Sequence, residues 1–183
     1  MAEMRLMRFC RLLTVLGEPD DVFANEVDLL LGRVQLDLFR MFDDAANSLD
    51  ELRQRGLHVG IITNGANDGH PDSQRSKAEH LGLLERVDSF WVSEAIGHRK
   101  PDLRAFLPAL KAVRCQPNEA LFVGDSLEND IAGANRTDMV SVWLRHGVAS
   151  TPDAFVDTRP CHVVSSGADV LGLIVEATEK ENL

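Results

Sequence analysis

The first 56 residues carry apolar side chains at intervals of three and four, the spacing that places them on one face of a helix. From Phe23 to Leu38 this spacing predicts a helix with one buried face, formed by Val27, Leu30, Leu31, Val34 and Leu38. The same spacing predicts an earlier helix over residues 6–16 and a later one over residues 43–55. We therefore expect three helices, and no strand, before residue 57.

From residue 57 the pattern changes to short apolar runs separated by helical stretches, which is typical of a parallel sheet with crossover helices. The runs predict strands at residues 57–63, 89–93, 120–124, 139–144 and, more weakly, 161–164. The stretches after them predict helices near residues 73–81, 102–113, 127–135 and 168–178. Pro108 lies inside the second of these helices and is expected to bend it. The predicted fold class is α/β: a parallel sheet with flanking helices, preceded by a helical segment.

The composition and net charge of the chain argue against several classes of function. The chain has 183 residues, of which 44% are apolar, and this is enough for a buried core. A net charge of −10 argues against nucleic acid or an anionic membrane surface as a partner, and no apolar run reaches the length of a membrane helix. Cys10, Cys115 and Cys161 are odd in number and lack metal-ligand spacing, so we expect free, mostly buried thiols in the cytoplasm.

Polar residues follow three of the predicted strands, at the point where ligands bind in an open parallel sheet. These residues are Thr63, Asn64, Gly65, Lys100, Asp125 and Asp130. The two carboxylates offer the oxygen ligands that Mg²⁺ takes beside water and phosphate. A lysine ammonium and backbone amides suit the oxygens of a phosphoryl group. The sequence therefore predicts a phosphate and Mg²⁺ site in one crevice.

Each of these pieces has an ordinary structural explanation when it is taken alone. Thr63-Asn64-Gly65 is typical of a turn, Lys100 before a proline is typical of the start of a helix, and Asp125 suits a helix N-cap. Their joint occurrence in this order along the chain is what favours a functional site.

Three longer motifs carry a family resemblance. GIITNG at residues 60–65, RKPD at residues 99–102 and VGDSLENDIAGA at residues 123–134 resemble motifs two, three and four of the haloacid dehalogenase superfamily. The resemblance runs from about residue 49 to the C-terminus and implies a Rossmann-like core. Residues 3–42 resemble the latter part of the helical cap found in members with cap type one. We therefore expect a partial cap over residues 1–42 and a core over residues 43–183.

The resemblance also implies a role for each candidate residue. Thr63 would hydrogen-bond the transferring phosphoryl group, with Asn64 and Gly65 beside it, and Lys100 would neutralise its charge. Asp125 and Asp130 would hold Mg²⁺. Two acids in motif four imply a Mg²⁺-dependent phosphatase that acts on a small phosphate monoester, rather than a metal-free dehalogenase.

Motif one of the superfamily, an apolar strand ending in Asp-x-Asp, has no counterpart in this sequence. The pairs Asp20-Asp21 and Asp43-Asp44 are adjacent and lie where helix N-caps are expected. Without motif one, the resemblance implies no covalent aspartyl-phosphate, weak Mg²⁺ binding and negligible turnover. It also implies that the strands at residues 57–63 and 120–124 face each other with unpaired edges.

Two interpretations of function stay open. The favoured one is a phosphatase whose N-terminal part is absent from this chain, which is then inactive as written. The alternative is a noncatalytic phosphate- or Mg²⁺-binding or interaction module, in which the strands at residues 57–63 and 120–124 pair directly. A receiver domain fits less well, since its phospho-accepting aspartate precedes the threonine and lysine. The apolar face through Val27, Leu31, Val34 and Leu38 would be the core of the cap or, in a shortened chain, an exposed patch that drives self-association.

Overall fold

The computed structural model of the chain describes residues 10–11, 13–17, 21–145 and 156–181. Residues 10–11 and 13–16 are helical, and the rest of the first predicted helix lies outside the described residues. Two further helices follow, α1 (Asp21–Leu38) and α2 (Ala45–Gln54). The later two predicted helices are therefore confirmed, and the described residues contain no strand before residue 57.

The five predicted strands are all present, and every observed pairing between them is parallel. They are β1 (Gly60–Thr63), β2 (Ser89–Val92), β3 (Leu121–Gly124), β4 (Val140–Leu144) and β5 (His162–Val164). The helices between and after them are α3 (Gln74–His80), α4 (Ser93–Ile96), α5 (Leu107–Val113), α6 (Ala132–Arg136) and α7 (Gly167–Glu181). The α/β fold class is confirmed, because short apolar runs form strands and the stretches between them cross over as helices.

The strands form two separate sheets within the described part of the chain. β1 pairs with β2, while β3, β4 and β5 pair in that order. The direct pairing of β1 with β3, which belongs to the alternative interpretation, is therefore not observed. Both strands are half-buried along most of their length, whereas the middle three residues of β4, which has a neighbour on each side, are buried. The sheet is interrupted between β1 and β3.

The expected bend at Pro108 is also wrong, because the predicted helix over residues 102–113 is two elements. A 3₁₀ turn spans Leu103–Ala105, and the Asp102 side chain accepts the backbone N–H of Arg104 at its start. The helix α5 then begins at Leu107, which places Pro108 in its first turn. A proline there disturbs no intrahelical hydrogen bond, since the first N–H groups of a helix have no partner within it.

The core between β3 and the helices is built on two aromatic rings. Phe106 is fully buried and meets Phe122 of β3 edge to face, with ring centroids 5.0 Å apart. Gly133 of α6 lies so close to the Phe106 ring that a Cβ there would be 2.4 Å from a ring carbon. Buried Val142, Val164 and Val170 form a second cluster between β4, β5 and α7.

The apolar face predicted to be buried on α1 is exposed, so that expectation is wrong. Leu30 and Leu38 are 61% and 73% exposed, and the buried positions of α1 are Ala24 and Gly32. Gly32 lies against the His70 ring, where a Cβ would be 2.8 Å from a ring carbon. The helix approaches the core most closely at small residues because they allow the close approach, whereas Leu30, Leu31, Val34 and Leu38 are exposed.

Asp44 caps a helix, but not the helix that the sequence predicted. It precedes α2, yet its carboxylate makes no hydrogen bond to the first turn of α2. Instead it accepts the backbone N–H of Gly167 at 2.6 Å and of Ala168 at 3.3 Å, at the start of α7. Asp44 therefore joins the beginning of the core to the C-terminal helix across 123 positions of sequence.

The three cysteines are free, as expected, but none is fully buried. Cys161 is exposed because it lies just before β5, while burial raises the pKa of the Cys115 thiol and nearby Glu119 raises it further. Across the described ranges, no helix has both the length and the apolar character needed to cross a membrane.

Candidate active site

Asn64 fixes the position of Lys100. Directly after β1, its side-chain amide donates to the backbone carbonyl of Lys100 at 3.0 Å, and its side-chain oxygen accepts the backbone N–H of Lys100 at 2.8 Å. The two hydrogen bonds use both ends of the amide, so the loop that carries Lys100 is held in register with the end of β1.

The Lys100 ammonium lies between the two sheets. Its Nζ donates to the backbone carbonyl of Ile62 in β1 at 2.7 Å and lies 2.7 Å from Oδ1 of Asp130. It also lies 5.4 Å from the ring centroid of Phe122 in β3. The side chains of Lys100 and Asp130 are only 12% and 7% exposed. A buried charge pair therefore spans the interruption between β1 and β3.

A π-helical turn over Leu127–Ile131 brings Asp130 back to the end of β3. Oδ2 of Asp130 accepts the backbone N–H of Ser126 at 3.1 Å. Gly124 permits this return, because a Cβ there would lie 2.3 Å from Cβ of Asp130. The side chain of Ser126 in turn accepts the backbone N–H of Asn129, which starts the turn. The spacing of GDSLEND thus positions one buried carboxylate.

Thr63 and Gly65 both have partners in this structure. Oγ1 of Thr63 donates to Oε1 of Gln74 at 3.2 Å, and the backbone N–H of Gly65 donates to Oγ of Ser93 at 3.0 Å. Gly65 also packs so tightly on Gln74 that a Cβ would be 2.4 Å from Cγ. The prediction did not assign Gln74 to the site. Nothing in a hydropathy pattern shows that the first residue of α3 folds back over the end of β1.

Five of the six predicted residues are joined by direct contacts or lie next to each other in the chain. Thr63 ends β1 and Asn64 and Gly65 directly follow it, while Lys100 contacts Asp130 and a carbonyl of β1. Asp125 directly follows β3, with an exposed side chain and a backbone carbonyl that accepts the indole N–H of Trp143 at 3.0 Å. The crevice therefore has a buried cation and carboxylate at its base and an exposed carboxylate beside β3.

The donor set suits a hard cation. Asp125 and Asp130 supply carboxylate oxygens, and Mg²⁺ is commonly held by one or two carboxylates with water and substrate phosphate. One oxygen of Asp130 already accepts an N–H and the other faces the Lys100 ammonium. No group of three or more His, Cys, Asp or Glu side chains in the described ranges is placed to hold a metal. Asp125 and Asp130 thus offer carboxylate oxygens to a hard cation, but the described residues do not assemble a complete metal site.

Asp102 of the RKPD motif is tied to Arg104 and not to the crevice. Its carboxylate accepts hydrogen bonds from the Arg104 guanidinium and from the Arg104 backbone N–H. These bonds lower the pKa of Asp102 to about 2. The motif thus has one residue that serves the site, Lys100, and one that starts the following 3₁₀ turn.

Comparison with other sequences identifies relatives. The family of haloacid dehalogenase-like hydrolases matches residues 4–138. The chain is 35% identical over 122 residues to phosphoserine phosphatase of Thermus thermophilus, and 33% identical over 138 residues to glyceraldehyde 3-phosphate phosphatase of Pyrococcus furiosus. The matches cover 66% and 75% of this chain but 47% and 54% of those proteins. The chain thus spans about half the length of these relatives.

Solved structures show the same fold. 2-Haloacid dehalogenase of Pseudomonas syringae pv. Tomato DC3000 superposes with a TM-score of 0.73 at 24% identity, covering 95% of this chain and 71% of the other. A HAD phosphatase of Thermococcus onnurineus gives 0.68 at 21% identity, covering 94% and 89%. These similarities confirm the Rossmann-like α/β core. Together with the match over residues 4–138, they establish that the chain belongs to the haloacid dehalogenase-like hydrolase family.

Proposed function

We propose that the crevice at the ends of β1 and β3 binds the phosphoryl group of a small phosphate monoester together with Mg²⁺, as the phosphate site of a phosphatase. The observation that carries this proposal is the buried Lys100 ammonium, held between the Ile62 carbonyl of β1 and Asp130 near the carboxyl ends of the strands. The relatives named as phosphatases of phosphoserine and of glyceraldehyde 3-phosphate support a phosphate monoester as the ligand class.

In this proposal Lys100 supplies the charge and Thr63 supplies a hydroxyl donor. The Thr63 hydroxyl exchanges Oε1 of Gln74 for a phosphoryl oxygen when the ligand binds. Asn64 acts on Lys100 rather than on the ligand, because its amide is already used on both sides of the Lys100 peptide. The N–H of Gly65 is bound to Ser93, so Gly65 contributes mainly the close packing that shapes the turn.

Asp125 and Asp130 are the residues that would hold Mg²⁺. The cation supplies charge neutralisation for the phosphoryl oxygens when it is bound. Asp130 faces Lys100 in the structure, so the Lys100 ammonium must turn from Asp130 toward the phosphate before both oxygens of Asp130 are available. A cation held by Asp130 would neutralise that carboxylate in place of the ammonium, and the Lys100 ammonium would neutralise the phosphoryl group.

A noncatalytic phosphate-binding module is the second candidate function. The sequence contains no Asp-x-Asp, and Asp130 is the carboxylate that faces Lys100. Asp130 is held by the Ser126 N–H and the Lys100 ammonium, so it is poorly placed to attack phosphorus. Covalent catalysis requires a free carboxylate within reach of the phosphoryl group. We therefore expect the 183-residue chain by itself to bind phosphate without turning over a monoester.

Two measurements on the 183-residue chain test these candidates. Isothermal titration with inorganic phosphate in the presence of Mg²⁺ should detect binding, and Lys100→Met should weaken it by about tenfold or more, since a charge-assisted contact is lost. Lys111→Met is the matched control, because Lys111 is exposed on α5, and it should leave binding unchanged. Absence of phosphate binding, or equal effects of the two variants, refutes the proposed site.

The second measurement is hydrolysis of an aryl phosphate with Mg²⁺. We expect no turnover above background. Turnover that Asp125→Asn suppresses would show that a nucleophile is present in the chain, and it would reject the noncatalytic candidate in favour of an active phosphatase.

A further inference from the structure

Gln74, the first residue of α3, closes the turn that follows β1. Its side-chain oxygen Oε1 accepts the Thr63 hydroxyl at 3.2 Å, and its backbone N–H donates to the carbonyl of Ala66 at 3.0 Å. Its side chain packs on Gly65, where a Cβ would lie 2.4 Å from Cγ and 2.9 Å from Nε2. Gln74 is therefore held by contacts with three residues of the turn, and its carboxamide lies beside the Thr63 hydroxyl.

The Gln74 carboxamide uses only its oxygen in the structure. Oε1 accepts the Thr63 hydroxyl, whereas no described residue accepts a hydrogen bond from Nε2. A carboxamide offers both an acceptor and donors, and a half-turn about the Cγ–Cδ bond exchanges their positions. Nε2 then lies where Oε1 lies now, within hydrogen-bonding distance of the Thr63 oxygen. The same side chain can therefore either accept from the Thr63 hydroxyl or donate to it.

The single proton of the Thr63 hydroxyl makes this choice matter. A hydroxyl has one donor, so Thr63 cannot donate to Gln74 and to a phosphoryl oxygen at the same time. If the carboxamide stayed fixed while Thr63 donated to a ligand, two acceptor oxygens would face each other 3.2 Å apart. Rotation of the carboxamide removes this conflict, because Nε2 then donates to a lone pair of the Thr63 oxygen. A hydroxyl that accepts such a bond is polarised and becomes a stronger donor in turn.

We propose that Gln74 is a positioning residue that reverses its carboxamide when phosphate binds. Nε2 of Gln74 then donates to the Thr63 hydroxyl while this hydroxyl donates to a phosphoryl oxygen. Gln74 thus gives the hydroxyl a partner both with and without the ligand, and it acts through Thr63 without touching the ligand. The backbone N–H of Gln74 keeps its bond to the Ala66 carbonyl throughout, so the turn itself stays in place. This inference rests on the proposed phosphate site.

Gln74→Glu in the full 183-residue chain gives the first test, because a carboxylate accepts hydrogen bonds but cannot donate them. The variant keeps the partner of the Thr63 hydroxyl in the free chain and loses it once phosphate is bound, and its charge also repels phosphate. Thr63→Val separates these two effects, since only the repulsion persists without the hydroxyl. In isothermal titration with inorganic phosphate and Mg²⁺, Gln74→Glu should weaken binding by about threefold to tenfold more beside Thr63 than beside Val at that position.

Gln74→Met gives the second test and asks whether the carboxamide turns. Methionine keeps the length of the side chain but loses the bond to Thr63 both with and without phosphate. Phosphate binding should therefore change by less than about twofold. A fixed carboxamide that only competes for the Thr63 proton predicts tighter binding by about threefold to tenfold instead. Tighter binding of Gln74→Met, or equal effects of Gln74→Glu in the two backgrounds, overturns the proposal.

Two controls keep these tests specific. Gln54→Glu makes the same change of charge at an exposed glutamine, the last residue of α2, and should leave phosphate binding unchanged. Far-ultraviolet circular dichroism should show that each variant keeps its helix content. Phosphate binding that Lys100→Met weakens, but that Gln74→Glu leaves as it is, refutes this inference alone. Absence of phosphate binding by the unaltered chain refutes the proposed site and this inference with it.

Discussion

A substitution that removes one charge of the Lys100–Asp130 pair should destabilise the protein more than any other single substitution at the crevice. Nζ and Oδ1 are 2.7 Å apart, with side chains 12% and 7% exposed. Two unit charges at this distance attract by about 6 kcal/mol at an effective dielectric constant near 20. Much of this attraction offsets the cost of removing both charges from water. Lys100→Met leaves the carboxylate buried without its cation, and we expect a loss of about 3–5 kcal/mol.

Asp130→Asn completes a double-mutant cycle. Asparagine keeps the shape of the side chain and an oxygen that can accept the Ser126 N–H, so the change mainly removes charge. Asp130→Asn alone leaves the Lys100 ammonium with the Ile62 carbonyl but without a negative charge beside it. The double variant, with Lys100→Met as well, contains neither charge of the pair. We therefore expect the double variant to lose about 2–3 kcal/mol less free energy of unfolding than the two single variants lose together.

Urea unfolding followed by tryptophan fluorescence measures these differences. Trp143 reports on the crevice, because its indole N–H donates to the Asp125 carbonyl at 3.0 Å. Lys111→Met, at an exposed position, should change stability by less than about 0.5 kcal/mol. If the losses from Lys100→Met and Asp130→Asn simply add, within about 0.5 kcal/mol, the two charges do not interact as the geometry requires and the reasoning is refuted.

Three further changes test other contacts. Asp44→Ala removes the carboxylate that caps α7 and should cost about 1–2 kcal/mol in urea unfolding, while Asp43→Ala, at its exposed neighbour, should cost less than about 0.5 kcal/mol. Gly133→Ala would place a methyl carbon 2.4 Å from a buried ring carbon, and we expect a loss of about 2 kcal/mol and a Tm lower by roughly 4–8 °C in calorimetry. The Val59 N–H donates to the Asp88 carboxylate and holds the pKa of Asp88 below its usual range. The urea midpoint should therefore be constant from about pH 7 to 5 and fall below about pH 4. Asp88→Asn should reduce that fall, and a fall of the same size in the variant would contradict this explanation.

The strands and the candidate site residues were predictable because both follow from patterns local in sequence. A short apolar run between polar stretches forms a strand, and parallel strands bring the residues after their carboxyl ends to one edge. Thr63, Lys100 and Asp130 were found by this rule alone. Their contacts were not predictable in the same way. The approach of Asp130 to Lys100 depends on a π-helical turn and on the absence of a side chain at Gly124.

The placement of α1 could not be predicted, because apolar spacing shows which residues share one side of a helix but not what that side contacts. The contact with the core is made by Ala24 and Gly32, which contribute little to a hydropathy pattern but allow the helix to approach the His70 ring. The prediction that Asp44 caps the helix directly after it is wrong for a related reason. A cap is recognised by its position in sequence, whereas Asp44 serves a helix that begins 123 residues later.

The Lys100 ammonium cannot keep its contacts in this structure and also make the proposed contact with a phosphoryl group. In the structure its ammonium donates to a carbonyl of β1 and neutralises Asp130, at a place where the described residues put no strand between β1 and β3. In the proposed function the same ammonium must turn toward a phosphoryl group. Phosphate binding therefore breaks contacts that stabilise the fold, and Mg²⁺ at Asp130 restores the lost neutralisation. Phosphate and Mg²⁺ should consequently bind cooperatively, since each removes the cost that the other would meet alone.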